Sequence, residues 1–219
     1  MKGLLRKDLY SIIDQKVVIV VLLFIAFCYP LMGAVDSGFT VGYISFVSAT
    51  IGLATIGYDF ADSGMLQIMT LPVDRKMYVQ SKYVICMICV VSGMLMAMIA
   101  QSLLYYRDTG HMSWEYTLLS GFIVLFTGMI MTSAGIPSYI KFGAQKGVYG
   151  LLIFVIAIVA LILGCIKLSE YMGYDLDQMF AGIAAMEVTA IVGFALAAAA
   201  VIMIISYMVA LKIIDKKTF

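Results

Sequence analysis

Six long stretches of this chain contain no Asp, Glu, Lys, Arg or His, and nearly all the charge lies between them. They are Val17–Val35, Gly38–Tyr58, Tyr83–Tyr106, Tyr116–Ile140, Gly147–Ile166 and Val188–Leu211. Each is close to the ~20 residues that a helix needs to cross a ~30 Å hydrocarbon core. With 63% hydrophobic and 12% charged residues over 219 positions, a soluble domain would lack the polar surface to cover itself. A membrane barrel alternates polar and apolar positions, and these runs do not. The expected fold is therefore all-α: one polytopic domain over residues 1–219, with six transmembrane helices.

The basic residues set the expected orientation, because loops rich in Lys and Arg stay on the cytoplasmic side. Lys2, Arg6, Lys7 and Lys16 precede the first span; Arg75, Lys76 and Lys82 lie in or next to the second gap. Lys141 and Lys146 fall in the fourth gap, and Lys212, Lys216 and Lys217 follow the last span. The other gaps hold only Arg107 and Lys167. Both termini are expected to be cytoplasmic. The first span is read as a retained helix, since it is long and shows no small-residue cleavage pattern.

The gaps have structure of their own. Residues 1–16 read as an amphipathic helix lying in the inner interface, with Leu5, Leu9, Ile12 and Ile13 on its apolar face and lysines toward anionic headgroups. Asp36 and Ser37 leave room only for a tight hairpin. The segment 59–82 is the longest inner piece. There Asp62 or Ser63 can cap a short helix, Met65, Leu66, Ile68 and Met69 give it an apolar side, and Pro72 ends it. Asp74 can cap the helix that follows. An apolar side exposed in this position calls for a partner, bilayer or protein. Trp114 and the Tyr105–Tyr106 pair read as interfacial anchors. Residues 137–146 read as a short inner loop whose Gly143-x-x-x-Gly147 permits close helix approach. The outer segment 167–187 reads as amphipathic helix lying in, or dipping into, the outer interface. Cys86 and Cys89 form a C-x-x-C inside a span, without the further ligands a zinc site needs. They read as packing residues.

Several chemistries are missing. Ionisable groups within spans mark proton relays and ion sites, and these spans have none. The single histidine cannot supply H-E-x-x-H, and no Gly-Lys dipeptide exists to build a P-loop. No catalytic residue, metal site or cofactor site is read from the sequence. Energy for any driven work must come from another subunit, and the cytoplasmic segment is where force would enter.

Two motifs carry a family resemblance. M-K-G-L-L-R-K-D-L-Y at Met1–Tyr10 and L-P-V-D-R-K-x-Y-V-x-x-K-Y at Leu71–Tyr83, with this topology between and after them, resemble the permease subunits of ABC-2-type bacterial exporters. The chain is most similar to the small permeases that export peptides, of the phenol-soluble modulin or lantibiotic type. The resemblance implies the type II exporter transmembrane fold, a multi-pass location in the bacterial plasma membrane, and export by alternating access. Residues 1–16 would be the connecting, or elbow, helix, with Leu5, Leu9, Ile12 and Ile13 on its apolar face. Residues 62–71 would be the coupling helix seated on a separate ABC ATPase, which binds ATP and Mg. The implied coupling residues are Asp59, Asp62, Met65, Leu66, Met69, Leu71, Pro72 and Arg75, with Tyr78 and Lys82 matching the same pattern. A second copy of the chain, or a paralogue, would complete the permease, the homodimer being favoured. The substrate would be a hydrophobic or amphipathic peptide, in a cavity lined by apolar and Met-bearing faces of spans one, two and five. The chain itself is not expected to be an enzyme or to bind nucleic acid.

The main alternative is the vitamin-binding six-helix subunit of an energy-coupling-factor importer. Such chains usually dock through a small-residue A-x-x-x-A face, and the alanines at Ala195–Ala200 do not replace the coupling segment. A six-span protein with no transport role would have no need of an apolar helix on the cytoplasmic side.

Overall fold

A computed structural model describes residues 2–14, 16–31, 37–60, 74–172 and 188–216. They form six helices: α1 (Lys2–Asp14), α2 (Lys16–Leu31), α3 (Ser37–Phe60), α4 (Arg75–Thr109), α5 (Trp114–Met172) and α6 (Val188–Lys216). Among the described residues, four helical stretches are long and apolar enough to cross a membrane: Gly38–Phe60, Arg75–Thr109, Trp114–Gly143 and Val192–Lys216. The other two uncharged stretches are helical too. Val17–Val35 is helical through Leu31 in α2, and Gly147–Ile166 lies in the second limb of α5. Helix is the form that satisfies every backbone N–H and C=O within one segment, as hydrocarbon requires. The outward face of α4 is a stripe of Val84, Ile88, Val91, Leu95, Ile99 and Leu103, recurring every three or four residues. It is the apolar outside of a helix that meets lipid.

The expected loop at 137–146 is instead helix up to a break at one residue. Gly143 has φ 81° and ψ −176°, a region essentially reserved for glycine. The two limbs of α5 then fold back on each other. A Cβ on Gly147 would lie 2.9 Å from the Tyr139 Cα, and one on Gly150 would lie 3.2 Å from the Ser138 Cβ. The pairs Tyr139/Gly147 and Ser138/Gly150 are nearly symmetric about Gly143, as in an antiparallel hairpin. Gly143 makes the turn, and Gly147 allows the close approach.

Pro137 sits inside the first limb. With no N–H, proline leaves the carbonyl four residues earlier without its helical donor, here that of Ser133. The Ser206 hydroxyl of α6 donates to the Ser133 carbonyl oxygen, and the Tyr83 hydroxyl lies 2.6 Å from Ser206 Oγ. Since the Ser206 proton is already given away, Tyr83 is the donor to it. The proline thus creates a polar joint that ties α4, α5 and α6 together inside an apolar bundle.

Helix ends depart from expectation at two points. Asp74 occupies the N-cap position of α4, but its side chain makes no capping bond; the first turn closes through Tyr78 N–H donating to the Asp74 carbonyl. At its far end α4 continues through Arg107 and Asp108 to Thr109, where Gly110 (φ 72°) closes it by donating to the Tyr106 carbonyl. Trp114, Tyr106 and Tyr116 stand exposed around this turn, as interfacial anchors do.

The core has two centres. One, at the end where α1 lies, gathers Leu53, Ile56, Tyr78, Val79, Ile136, Ile140 and Ile214, with Leu4, Leu5 and Ile12 of α1 packed against it. The other gathers Ala26, Val41, Ile44, Ala97, Ala100 and Val124.

Candidate functional site: a buried ion network beside residues 61–73

Two helix ends frame the segment 61–73, and that segment itself lies outside the described residues. α3 delivers Asp59 on its last turn, while α4 begins at Arg75 and presents Tyr78, Val79, Lys82 and Cys86 on one buried face. Lys82 is carried inward by the same helical period that buries its neighbours. α1 supplies the counter-charge. On a helical wheel Asp8 falls between Leu4 and Ile12, so the face that packs those residues on the core also buries the carboxylate.

The resulting network is closed. Lys82 Nζ donates to both carboxylate oxygens of Asp8 at 2.8 Å, pairs with Asp59 Oδ2 at 2.6 Å, and donates to the Thr55 carbonyl at 3.3 Å. An ammonium has three donors, and here three groups receive them. Asp59 Oδ2 also accepts from the Tyr78 hydroxyl at 3.0 Å, and Asp59 Oδ1 pairs with Lys7. Asp8, Asp59 and Lys82 are only 2%, 3% and 1% exposed. Two cations balance two carboxylates, which is what makes their burial tolerable: removing one partner of such a set strands a charge in low dielectric. Burial nevertheless outweighs the attraction of Lys82 at Asp8 and holds that carboxyl above its ordinary pKa.

A second tie lies close by. Arg75 donates from Nη1 to the carbonyls of Ile214 at 3.0 Å and Asp215 at 3.1 Å, in the last turn of α6. A cation there meets the negative end of the helix dipole. Together the two ties fasten α1, α3, α4 and α6 around the ends of residues 61–73.

Of the residues singled out in the sequence, Asp59 joins the network and Arg75 turns back onto α6. Asp62, Met65, Leu66, Met69, Leu71 and Pro72 lie outside the described residues. The four apolar residues of α1 separate. Leu5 and Ile12 pack on the core, whereas Leu9 and Ile13 are 41% and 57% exposed, because the pairing of Asp8 with Lys82 fixes the roll of the helix. The sequence reading missed Asp8, and it missed Lys7 and Lys82 as counter-ions. The signal was present: a carboxylate among the apolar positions of an amphipathic helix needs a cation from elsewhere.

A partly enclosed cavity of about 210 Å³ lies deeper, between α2, α3 and α4. Its described walls come mainly from α2, α3 and α4, with Met96 the one methionine among the described lining residues. The cavity expected between spans one, two and five is not this one.

Several helices this long and apolar define a multi-pass membrane protein. The chain belongs to the ABC-2 family: the model described as ABC-2 family transporter protein matches residues 3–215. It is thus an ABC-transporter permease, and that family implies an ATPase partner and a membrane setting. No curated protein and no solved structure matches the chain.

Proposed function

We propose that this chain is the non-catalytic membrane half of an ATP-driven exporter of hydrophobic or amphipathic peptides. In this reading six spans place both termini in the bacterial cytoplasm, and two copies form the permease. Residues 62–71 form a coupling helix that docks a separate ATPase, which binds the ATP and Mg. Closure of the two ATPases drives the coupling helices together, and the spans tilt between inward-open and outward-open states. The observation that carries the reading is the ion network. Lys82 and Asp59 stand at the two ends of the segment that would receive the ATPase, and both are joined to α1. Force entering there moves α1, α3 and α4 as one body. The uncharged spans suit an apolar cargo better than an ion.

Purification in mild detergent tests this. The wild-type chain is expected to retain a P-loop ATPase, and Met65→Asp, Leu66→Asp and Met69→Asp together are expected to release it while helicity is kept. Retention of the ATPase by the triple variant would overturn the coupling role.

A further inference from the structure

The cavity between α2, α3 and α4 has a wall with a definite chemistry. Ile19, Leu23 and Ala26 line it from α2, a face repeated every three or four residues. Among the described residues no charged side chain lines it. Its two serines are already engaged on their own helices: Ser48 Oγ donates to the Ser45 carbonyl at 3.0 Å, and Ser92 Oγ to the Cys89 carbonyl at 2.7 Å. α3 and α4 cannot close the space by sliding together. They already touch at Gly93, where an added Cβ would stand 2.4 Å from the Ser48 Cβ. The volume of about 210 Å³ exceeds the roughly 150 Å³ that holds a benzene molecule in an engineered apolar site. It is far too narrow for a helical peptide, whose diameter with side chains is about 10–12 Å. An extended peptide would bring N–H and C=O groups into a wall that offers them little.

One end of the cavity reaches Ile12 of α1, the helix that lies at the ends of the spans. Arg6 on α1 and Lys16 at the start of α2 stand exposed, where phosphate headgroups would meet them if this end lies at the bilayer surface. An apolar slot inside the bundle thus ends against a helix that carries an exposed cation, with a second where the next helix begins.

We propose that this cavity holds one acyl chain of an anionic phospholipid, whose headgroup is held by Arg6 and Lys16. The lipid completes the packing of α2 against α3 and α4. It is a structural ligand and not cargo, since the slot lies within one protomer and admits only hydrocarbon.

The test uses the whole chain, without an ATPase, reconstituted in bilayers of equal parts phosphatidylglycerol and phosphatidylcholine and then released into native mass spectrometry. The wild type is expected to carry one bound phosphatidylglycerol in preference to phosphatidylcholine. Val47→Phe and Ala26→Phe, which fill the slot, should lower its retention at least about tenfold. Leu23→Ala, which widens the slot, should keep the lipid, and its helicity controls for general damage. Arg6→Gln with Lys16→Gln should keep a lipid but lose the preference for phosphatidylglycerol. Wild-type retention in both filling variants would overturn the proposal, as would loss in Leu23→Ala equal to theirs, or no headgroup preference in the wild type. These outcomes leave the ATPase-coupling reading untouched, because no step of the test involves transport.

Discussion

Lys82→Met should be the most damaging single change at the network. In the wild type Lys7, Asp8, Asp59 and Lys82 sum to zero charge. Without Lys82 the sum is one negative charge, and Asp8 loses the ammonium that both its oxygens accept from. Asp59 keeps Lys7 and the Tyr78 hydroxyl, so the stranded group is Asp8. Removing one member of a buried pair costs about 3–5 kcal/mol. Asp8→Leu with Lys82→Met removes both charges and leaves Lys7, Asp59 and Tyr78 balanced, and an apolar replacement of a buried pair is commonly neutral or better. The double variant should therefore be more stable than Lys82→Met alone, with a coupling of about 2–3 kcal/mol. Unfolding in detergent micelles, followed by circular dichroism, measures it. Acidity gives a second readout. A carboxyl whose folded pKa is raised contributes stability at low pH that is lost as pH rises through that pKa. Asp8 is such a group, and without Lys82 its pKa climbs further. The gap between wild type and Lys82→Met should narrow as the pH falls. Additive losses in the two single variants, or a gap that widens on acidification, would refute the closed network.

Three further outcomes follow from the packing. Ser206→Ala should cost about 1–3 kcal/mol by leaving the Ser133 carbonyl and the Tyr83 hydroxyl unpaired, and Pro137→Ala in the same chain should recover part of it by restoring the helical donor to Ser133; micelle unfolding reads both. Gly143→Asn should cost on the order of 1–3 kcal/mol, because its φ and ψ suit glycine alone. Gly110→Asn, at φ 72° and ψ 1°, should be nearly neutral, since Asn tolerates the left-handed helical region; thermal melts compare the two. Arg75→Gln should speed amide hydrogen exchange in the last turns of α6 by weakening a charged tie worth about 1.5–3 kcal/mol.

Helix was legible because uncharged runs of this length have one stable form in hydrocarbon: every run named in the sequence is helical wherever it is described, and among the described residues four stretches are long and apolar enough to span. The interior of the site was less so. Lys82 reads in sequence as one more basic residue near a span; only the placement of Asp8, 74 positions away, makes it a buried ion. That Asp8 interrupts an apolar face was visible, but which cation answers it depends on how α1 docks. The turn at Gly143 looks in sequence like a ten-residue loop, because Pro137, Lys141 and Lys146 are typical loop residues. Yet Pro137 is accommodated by a hydroxyl from α6, a partner 69 residues further on that no local pattern announces. The cavity resisted prediction for the same reason: it depends on how closely Gly93 lets α3 approach α4.

The central claim is that residues 62–71 receive the ATPase and that the ion network braces them. A photo-crosslinking amino acid placed at Met69, with a control at Trp114 at the far end of the bundle, tests it in native membranes. The account predicts a covalent adduct with a P-loop ATPase from position 69 and none from position 114. No ATPase captured at 69, or equal capture at both positions, would contradict it.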